Sequence, residues 1–176
     1  MTPTLFQALL GASFYSLPPA VRALHAVRGT ARYVGSVTVV RGHNALSRLC
    51  ARVAGLPPAM QDAALAVVFH GNARGETWQR DFNGHAMQSR LHFCGPRLLG
   101  ERLGPLRFRF SLHVYDQALH WRVQRVRLLG LPLPAGWFDG VRCREDEQAG
   151  RYAFLVEAAL PLIGTLIRYE GWLEPT

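Results

Sequence analysis

The residues best suited to chemistry stand together on one short segment, 75–82, with the sequence Gly-Glu-Thr-Trp-Gln-Arg-Asp-Phe. Side chains alternate across a β-strand, which places four of these residues on one face: Glu76, Trp78, Arg80 and Phe82. The two aromatic side chains mark this face as the inner one. We therefore expect the carboxylate and the guanidinium group to point inward with them.

An inward carboxylate and guanidinium allow two interpretations. Burying either charge is costly unless it is paired and hydrogen-bonded. Glu76 and Arg80 could form a structural ion pair that fixes the register of the sheet. They could instead be the polar anchors of a ligand cavity, in which Arg80 would bind a carboxylate or a phosphate. The sequence leaves both interpretations open.

Further charged and aromatic residues could contribute to the same interior. Alternation on the last predicted strand places Arg168 on one face and Tyr169 on the other. The pair Glu101-Arg102 falls on opposite faces of its strand, although solvated charges near a turn are the simpler explanation. The candidate ligand-binding residues are Glu76, Trp78, Arg80, Arg41, Glu101, Arg168 and Tyr169.

Known catalytic motifs are absent from the sequence. It contains no GxSxG, GxxxxGK[ST], HExxH or GxGxxG segment, so no catalytic residue is assigned and no cofactor is expected. The seven histidines are dispersed without metal-ligand spacing, and no metal site is expected. Cys50, Cys94 and Cys143 form no CxxC pair, which favours buried, reduced thiols.

The charge of the chain is strongly basic, with a formal net charge of +8. All 20 basic residues are arginines, and they are scattered along the sequence without a dense tract. This scatter argues against nucleic acid as a partner, while a basic surface would still attract anions, acidic partners or anionic lipid headgroups. No apolar run is long enough for a membrane span, and no basic residue precedes the apolar N-terminus, which favours the cytoplasm.

The spacing of apolar residues predicts the architecture. Residues 4–27 are expected to form a broken helix, residues 33–40 a strand, and residues 44–53 a second helix with Leu46, Leu49, Cys50 and Val53 on one face. From Ala64 onward the period changes to two. Strands are predicted at 64–71, 75–83, 87–94, 97–102, 106–115, 119–129, 142–148, 151–159 and 163–173.

This pattern predicts an α+β fold built on a strongly curved antiparallel β-sheet or barrel of about nine strands. The N-terminal helices and the one inserted helix would cap the sheet or fill its concave face. We find no linker, internal repeat or low-complexity segment, and we expect a single domain over residues 1–176.

Six short motifs in order carry a family resemblance: Arg41-Gly42, Gly75-Glu76-x-Trp78-x-Arg80-x-Phe82, Glu101-Arg102-x-Gly104-Pro105, Gly130-Leu131-Pro132-Leu133-Pro134, Leu160-Pro161-Leu162-Ile163-Gly164 and Arg168-Tyr169-Glu170-Gly171-Trp172-Leu173. With them the chain resembles bacterial domain-of-unknown-function family number 4166. Members occur alone or as a C-terminal extension of saccharopine-dehydrogenase-like NAD-binding proteins. The resemblance implies no reaction, but it suggests an NAD-binding dehydrogenase-like partner.

Three functions remain from the sequence. The first is a module that binds a small amphipathic or acidic ligand in a cavity of the curved sheet. The second is a cofactor-free enzyme in the same cavity, with Glu76 or Glu101 as acid or base and Arg80 stabilising an anion. The third is a protein-interaction module in which the inner charges form a structural ion pair.

Overall fold

The computed structural model describes residues 2–72 and 75–176. Its helices are α1 (Leu5–Leu10), α2 (Pro19–His25) and α3 (Ala45–Val53), with 3-10 turns at Gly11–Ser16 and Ala135–Phe138. Its strands are β1 (Gly29–Arg41), β2 (Met60–Asn72), β3 (Gly75–Phe82), β4 (His85–Gly95), β5 (Leu98–Leu103), β6 (Leu106–Tyr115), β7 (Ala118–Leu128), β8 (Leu131–Leu133), β9 (Gly140–Gln148), β10 (Arg151–Leu160) and β11 (Gly164–Pro175). In the part of the chain described, no helix has the length and hydropathy needed to cross a bilayer.

The strands form a closed antiparallel barrel. Around it the order is β1-β2-β3-β4-β5-β6-β7-β9-β10-β11, with β11 paired back to β1 and the short β8 attached outside to β7. Alternation sends every second side chain of each strand into the interior. The predicted curved sheet is confirmed as a barrel. Its ten strands exceed the expected nine because β1 joins the ring between β2 and β11.

Two glycines allow β1 and β11 to approach each other closely where the ring closes. A Cβ atom on Gly35 would lie 1.8 Å from the carbonyl oxygen of Trp172, and one on Gly171 would lie 2.1 Å from that of Ser36. A side chain at either position would push the two backbones apart. Glycine is therefore required here by the space between strands.

The two ends of the barrel differ. One, the helical end, is covered by α1 and α2, and the backbone N–H of Arg97 in the β4–β5 turn donates to the carbonyl of Leu9 at 2.8 Å. The antiparallel register places four other turns together at the opposite end, which we call the turn end. These are the β3–β4, β5–β6, β7–β8 and β10–β11 turns.

The N-terminal helices close the helical end through buried contacts. Thr4 caps α1 by accepting from the backbone N–H of Gln7, and its hydroxyl donates to the carbonyl of His25 at 2.9 Å. Phe6 is fully buried and stacks on the His25 ring with centroids 3.7 Å apart. The two helices thus hold each other and fill the mouth of the barrel.

Helix α3 does not cap the sheet or fill its concave face, and that prediction is wrong. Its buried residues are Ser47 and Ala51, and the Ser47 hydroxyl donates to the carbonyl of Thr165 on β11 at 2.8 Å. Small side chains let the helix backbone lie close to β11. Its larger apolar residues consequently face away, with Leu46 52%, Leu49 56% and Val53 50% exposed.

We predict that Gly35→Ala destabilises the protein by about 1–3 kcal/mol, because its methyl group has no room beside the Trp172 carbonyl. Gly136→Ala is the matched control, since the nearest atom to its added Cβ, in Asp139, is 3.9 Å away. Urea unfolding followed by tryptophan fluorescence measures both. Equal unfolding midpoints for the two variants would contradict a close β1–β11 approach.

Candidate functional site

Strand β3 sends its mixed face into the barrel, as the alternation predicts. Glu76 is 9% exposed, Trp78 5% and Phe82 1%, and the Arg80 side chain is 12% exposed. On the opposite face Gln79 and Asp81 are exposed to solvent. A carboxylate and a guanidinium group therefore do share the interior with the aromatic residues.

Glu76 and Arg80 nevertheless do not form an ion pair, so the structural pair considered from the sequence is wrong. Glu76 accepts a hydrogen bond from the indole N–H of Trp78 at 2.9 Å. Arg80 donates to the hydroxyl of Ser89 at 2.9 Å, and its guanidinium carbon lies 4.9 Å from the centre of the Trp78 ring. Glu76 and Arg80 are four residues apart along β3, a Cα separation of about 13 Å, with Trp78 between them. Each charge therefore takes a different partner.

A cavity of about 100 Å³ lies inside the barrel beside Arg80. Most of its wall is aliphatic or aromatic, including Phe69, Phe110 and Phe154. The polar and charged residues on the wall are Arg80, Glu101, Arg142, Cys143, Glu145, Tyr152 and Tyr169. The nearest carboxylate to Arg80 in this set is Glu101, at 4.0 Å, which is too long for a hydrogen bond.

The structure gathers four of the seven candidate residues at this cavity: Trp78, Arg80, Glu101 and Tyr169. Glu76 is buried nearby but is not part of the wall. Arg168 lies on the outer face of β11, where it contacts Glu157 at 3.3 Å and Glu170 at 2.9 Å. Arg41 lies at the turn end and donates to the carbonyls of Leu56 and Pro57. The last two residues do not reach the interior.

Sequence reasoning missed a buried pair that the structure does contain, between His25 and Glu145. The two side chains meet at 2.5 Å and are almost completely buried. Tyr152 lies near the same carboxylate, which adds to the rise in the pKa of its phenol caused by burial. The signal available in the sequence was a histidine on the apolar face of α2, beside Val21 and Leu24. Its partner, 120 residues away, could not be identified without the fold.

Burial keeps several interior groups in their neutral form. It raises the pKa of the Cys143 thiol well above its ordinary value, and the nearby Glu145 carboxylate adds to the effect. Desolvation likewise raises the pKa of Tyr152 well above its ordinary value. Cys143 is therefore a protonated thiol at neutral pH and a weak nucleophile. The two residues offer hydrogen bonds to the interior, not negative charge.

One buried donor on the cavity wall lacks an acceptor, and the Arg80 guanidinium beside it makes a single hydrogen bond. The indole N–H of Trp121 is buried and has no protein hydrogen-bond partner within the described residues. Over the same residues, Ser89 is the one hydrogen-bond acceptor of Arg80, whose guanidinium group carries five N–H donors. Buried donors are usually satisfied, and leaving them unpaired is costly. The wall thus presents donors from Trp121 and Arg80 next to the carboxylates of Glu101 and Glu145.

The barrel wall beside the cavity is incompletely paired. Strands β7 and β9 pair over four residues each, from Leu119 opposite Glu145 to Arg122 opposite Arg142. Beyond this point β7 pairs with the outer strand β8 instead. A groove of about 750 Å³ follows this separation on the outside. The groove and the cavity share four wall residues, Trp121, Val141, Arg142 and Cys143. The cavity and the groove are therefore neighbours at this separation, with Phe138 on the wall of the groove.

We predict that Glu76→Gln stabilises the protein increasingly as the pH rises above 4.5, the ordinary pKa of a glutamate. Burial raises the pKa of Glu76 in the folded state, with Glu145 adding to the effect while His25 and the Trp78 hydrogen bond oppose it. The wild type thus loses stability between pH 4.5 and the folded pKa, whereas glutamine keeps an acceptor for Trp78 without this ionisation.

Urea unfolding at a series of pH values measures the difference between Glu76→Gln and the wild type. Glu174→Gln, at an exposed carboxylate on β11, is the matched control for the loss of one surface charge. A stability difference that stays constant with pH would contradict a desolvated Glu76.

Comparison with known proteins gives a family but no activity. No curated protein matches the chain. Among solved structures, a crystal structure of Rv2717c from M. tuberculosis is similar, with 12% sequence identity, a TM-score of 0.47, and coverage of 91% of this chain and 99% of that chain. The model of the domain of unknown function DUF4166 matches residues 17–173. The chain therefore belongs to the DUF4166 family.

Proposed function

We propose that the barrel binds a small amphipathic acid, whose carboxylate or phosphate group lies against Arg80 inside the cavity. The observation that carries this proposal is the Arg80 guanidinium, which lines a mainly apolar cavity, makes one side-chain hydrogen bond, to Ser89, and has the Glu101 carboxylate 4.0 Å away. A charged group so placed attracts an anion strongly, because the low local dielectric strengthens charge-assisted hydrogen bonds. The unpaired indole N–H of Trp121 supports the same kind of ligand.

The dimensions of the cavity limit what part of the ligand it holds. At about 100 Å³ it is smaller than the roughly 300–1,000 Å³ of most ligand pockets. It suits an acidic headgroup with a few carbon atoms. A longer apolar tail would extend through the separation between β7 and β9 into the outer groove, where Arg142 lies on the shared wall.

A cofactor-free enzyme is the second candidate, and Glu101 is the residue that favours it. Glu101 lines the cavity 4.0 Å from Arg80, so an acid or base and an anion-binding group would both face a bound molecule. Glu76, the other carboxylate considered from the sequence, is bonded to Trp78 and does not line the cavity. The association with an NAD-binding dehydrogenase-like partner stays a prediction.

We predict that butyrate binds at least tenfold more tightly than butyramide, its neutral counterpart of nearly equal size. A hydrogen bond to a charged group contributes about 1.5–3 kcal/mol, which corresponds to roughly tenfold or more in affinity. Arg80→Met should remove this preference while leaving the apolar contacts. Fluorescence of Trp78 and Trp121, which line the cavity, reports binding of both probes.

Arg90→Met on the adjacent strand is the matched control, because Arg90 lies on the outer face and its loss changes the net charge equally. Equal binding of the two probes, or an unchanged preference in Arg80→Met, would rule out an anion site at Arg80. Native mass spectrometry of the freshly purified chain identifies a natural ligand. If that ligand is turned over, Glu101→Gln should bind it and stop its conversion.

A further inference from the structure

Four arginines form a row across the outside of the barrel. The register places Arg90 opposite Arg102, Arg102 opposite Arg107, and Arg107 opposite Arg127 on the adjacent strands β4 to β7. All four side chains are exposed. Like charges directly opposite each other in a sheet destabilise it. This arginine row is thus a feature that folding alone does not favour.

In the part of the chain described, no member of the arginine row forms an ion pair, although Glu76 and Glu101 line the same groove as the row. The arginines that do form ion pairs with carboxylates are Arg80, Arg144, Arg151 and Arg168, none of which belongs to the row. The next pair along β6 and β7, Arg109 opposite Arg125, extends the positive surface. Its charge is therefore available to an external anion.

The arginine row lies beside the turn end, where large apolar side chains protrude. Arg102 and Arg107 flank the β5–β6 turn, and Arg127 leads into the β7–β8 turn. At that second turn Leu129 is 81% exposed and Leu131 71% exposed. Leu162, in the β10–β11 turn at the same end, is completely exposed. Exposed leucines of this kind on a turn contribute nothing to the core.

Helix α3 repeats this combination on the other side of the turn end. Its outward stripe consists of Leu46, Leu49 and Val53, all about half exposed. Arg48 and Arg52 lie on the same helix, and residues 45–53 contain no acidic residue. The helix is held beside Leu162 because Asn44 and Ser47 bond the carbonyls of Ile163 and Thr165. A short basic helix with an outward apolar face suits a bilayer interface.

We propose that the turn end is a membrane-contact surface that binds bilayers containing anionic lipids. The protruding leucines would enter the boundary between headgroups and acyl chains, and the arginines behind them would meet the lipid phosphates. Nucleic acid would bind the positive charge, but it would make no favourable contact with aliphatic side chains at the tips of turns. The combination of the two, on several turns and one helix at the same end, favours a lipid surface.

We predict that the purified chain co-sediments with vesicles of equal parts phosphatidylcholine and phosphatidylglycerol, and much less with phosphatidylcholine alone. Binding should weaken in about 1 M salt, where charges are screened beyond roughly 3 Å. Leu129→Ser with Leu162→Ser should weaken it about tenfold per leucine. Arg107→Gln with Arg127→Gln should weaken it about fivefold per arginine.

The arginine variant separates binding from folding. Removing two opposed charges should leave the thermal unfolding temperature unchanged or raise it, while vesicle binding falls. Tyr15→Ser is the control for the leucines, because Tyr15 is 68% exposed at the helical end. Equal binding to neutral vesicles, or no effect of either double variant, would overturn the proposal. Tight binding of a single-stranded RNA without binding to vesicles would also overturn it. Free glycerol phosphate should not compete with the vesicles for the protein.

Discussion

The pairing of β1 with β11 is the interaction on which the rest of the molecule depends. It runs without interruption from Tyr33–Pro175 to Arg41–Ile167 and joins the beginning of the sheet to its end. Closure removes the free edges that an open sheet would present. It also fixes which side chains are enclosed, since alternation continues around the ring. The position of every interior charge follows from this closure.

Enclosing charged residues imposes a second requirement, because each needs a partner within the barrel or at its mouth. The strands supply some partners, such as Ser89 for Arg80. The N-terminal helices supply another, since α2 carries His25 to Glu145 while Phe6 stacks on the same histidine. The helical end is thus more than a cover. It supplies the buried partner of Glu145, while the Trp121 indole N–H is left without a protein acceptor in the described residues.

The sequence predicted the local features well and the long-range ones poorly. Alternation along β3 was sufficient to place Glu76 and Arg80 inside, because that pattern is a property of one strand. The partners of these residues depend on register between strands, so the expected pairing of the two charges was wrong. The arginine row depends on register as well: its members are scattered in sequence and become neighbours only when β4 to β7 align. Helix α3 was located correctly. Its apolar stripe, however, did not indicate that the face with Ser47 and Ala51 would pack against β11.

The two proposed sites meet at the segment that follows β7. The 3-10 turn after β8 lies along the groove beside the cavity, with Phe138 buried and Trp137 half exposed. Leu129 and Leu131, at the start of the same segment, belong to the proposed membrane-contact surface. An amphipathic acid concentrates in a bilayer, because its tail is apolar and its headgroup is charged. A barrel resting on anionic lipid by its turn end would therefore place the separation between β7 and β9 close to the phase in which such a ligand is most abundant.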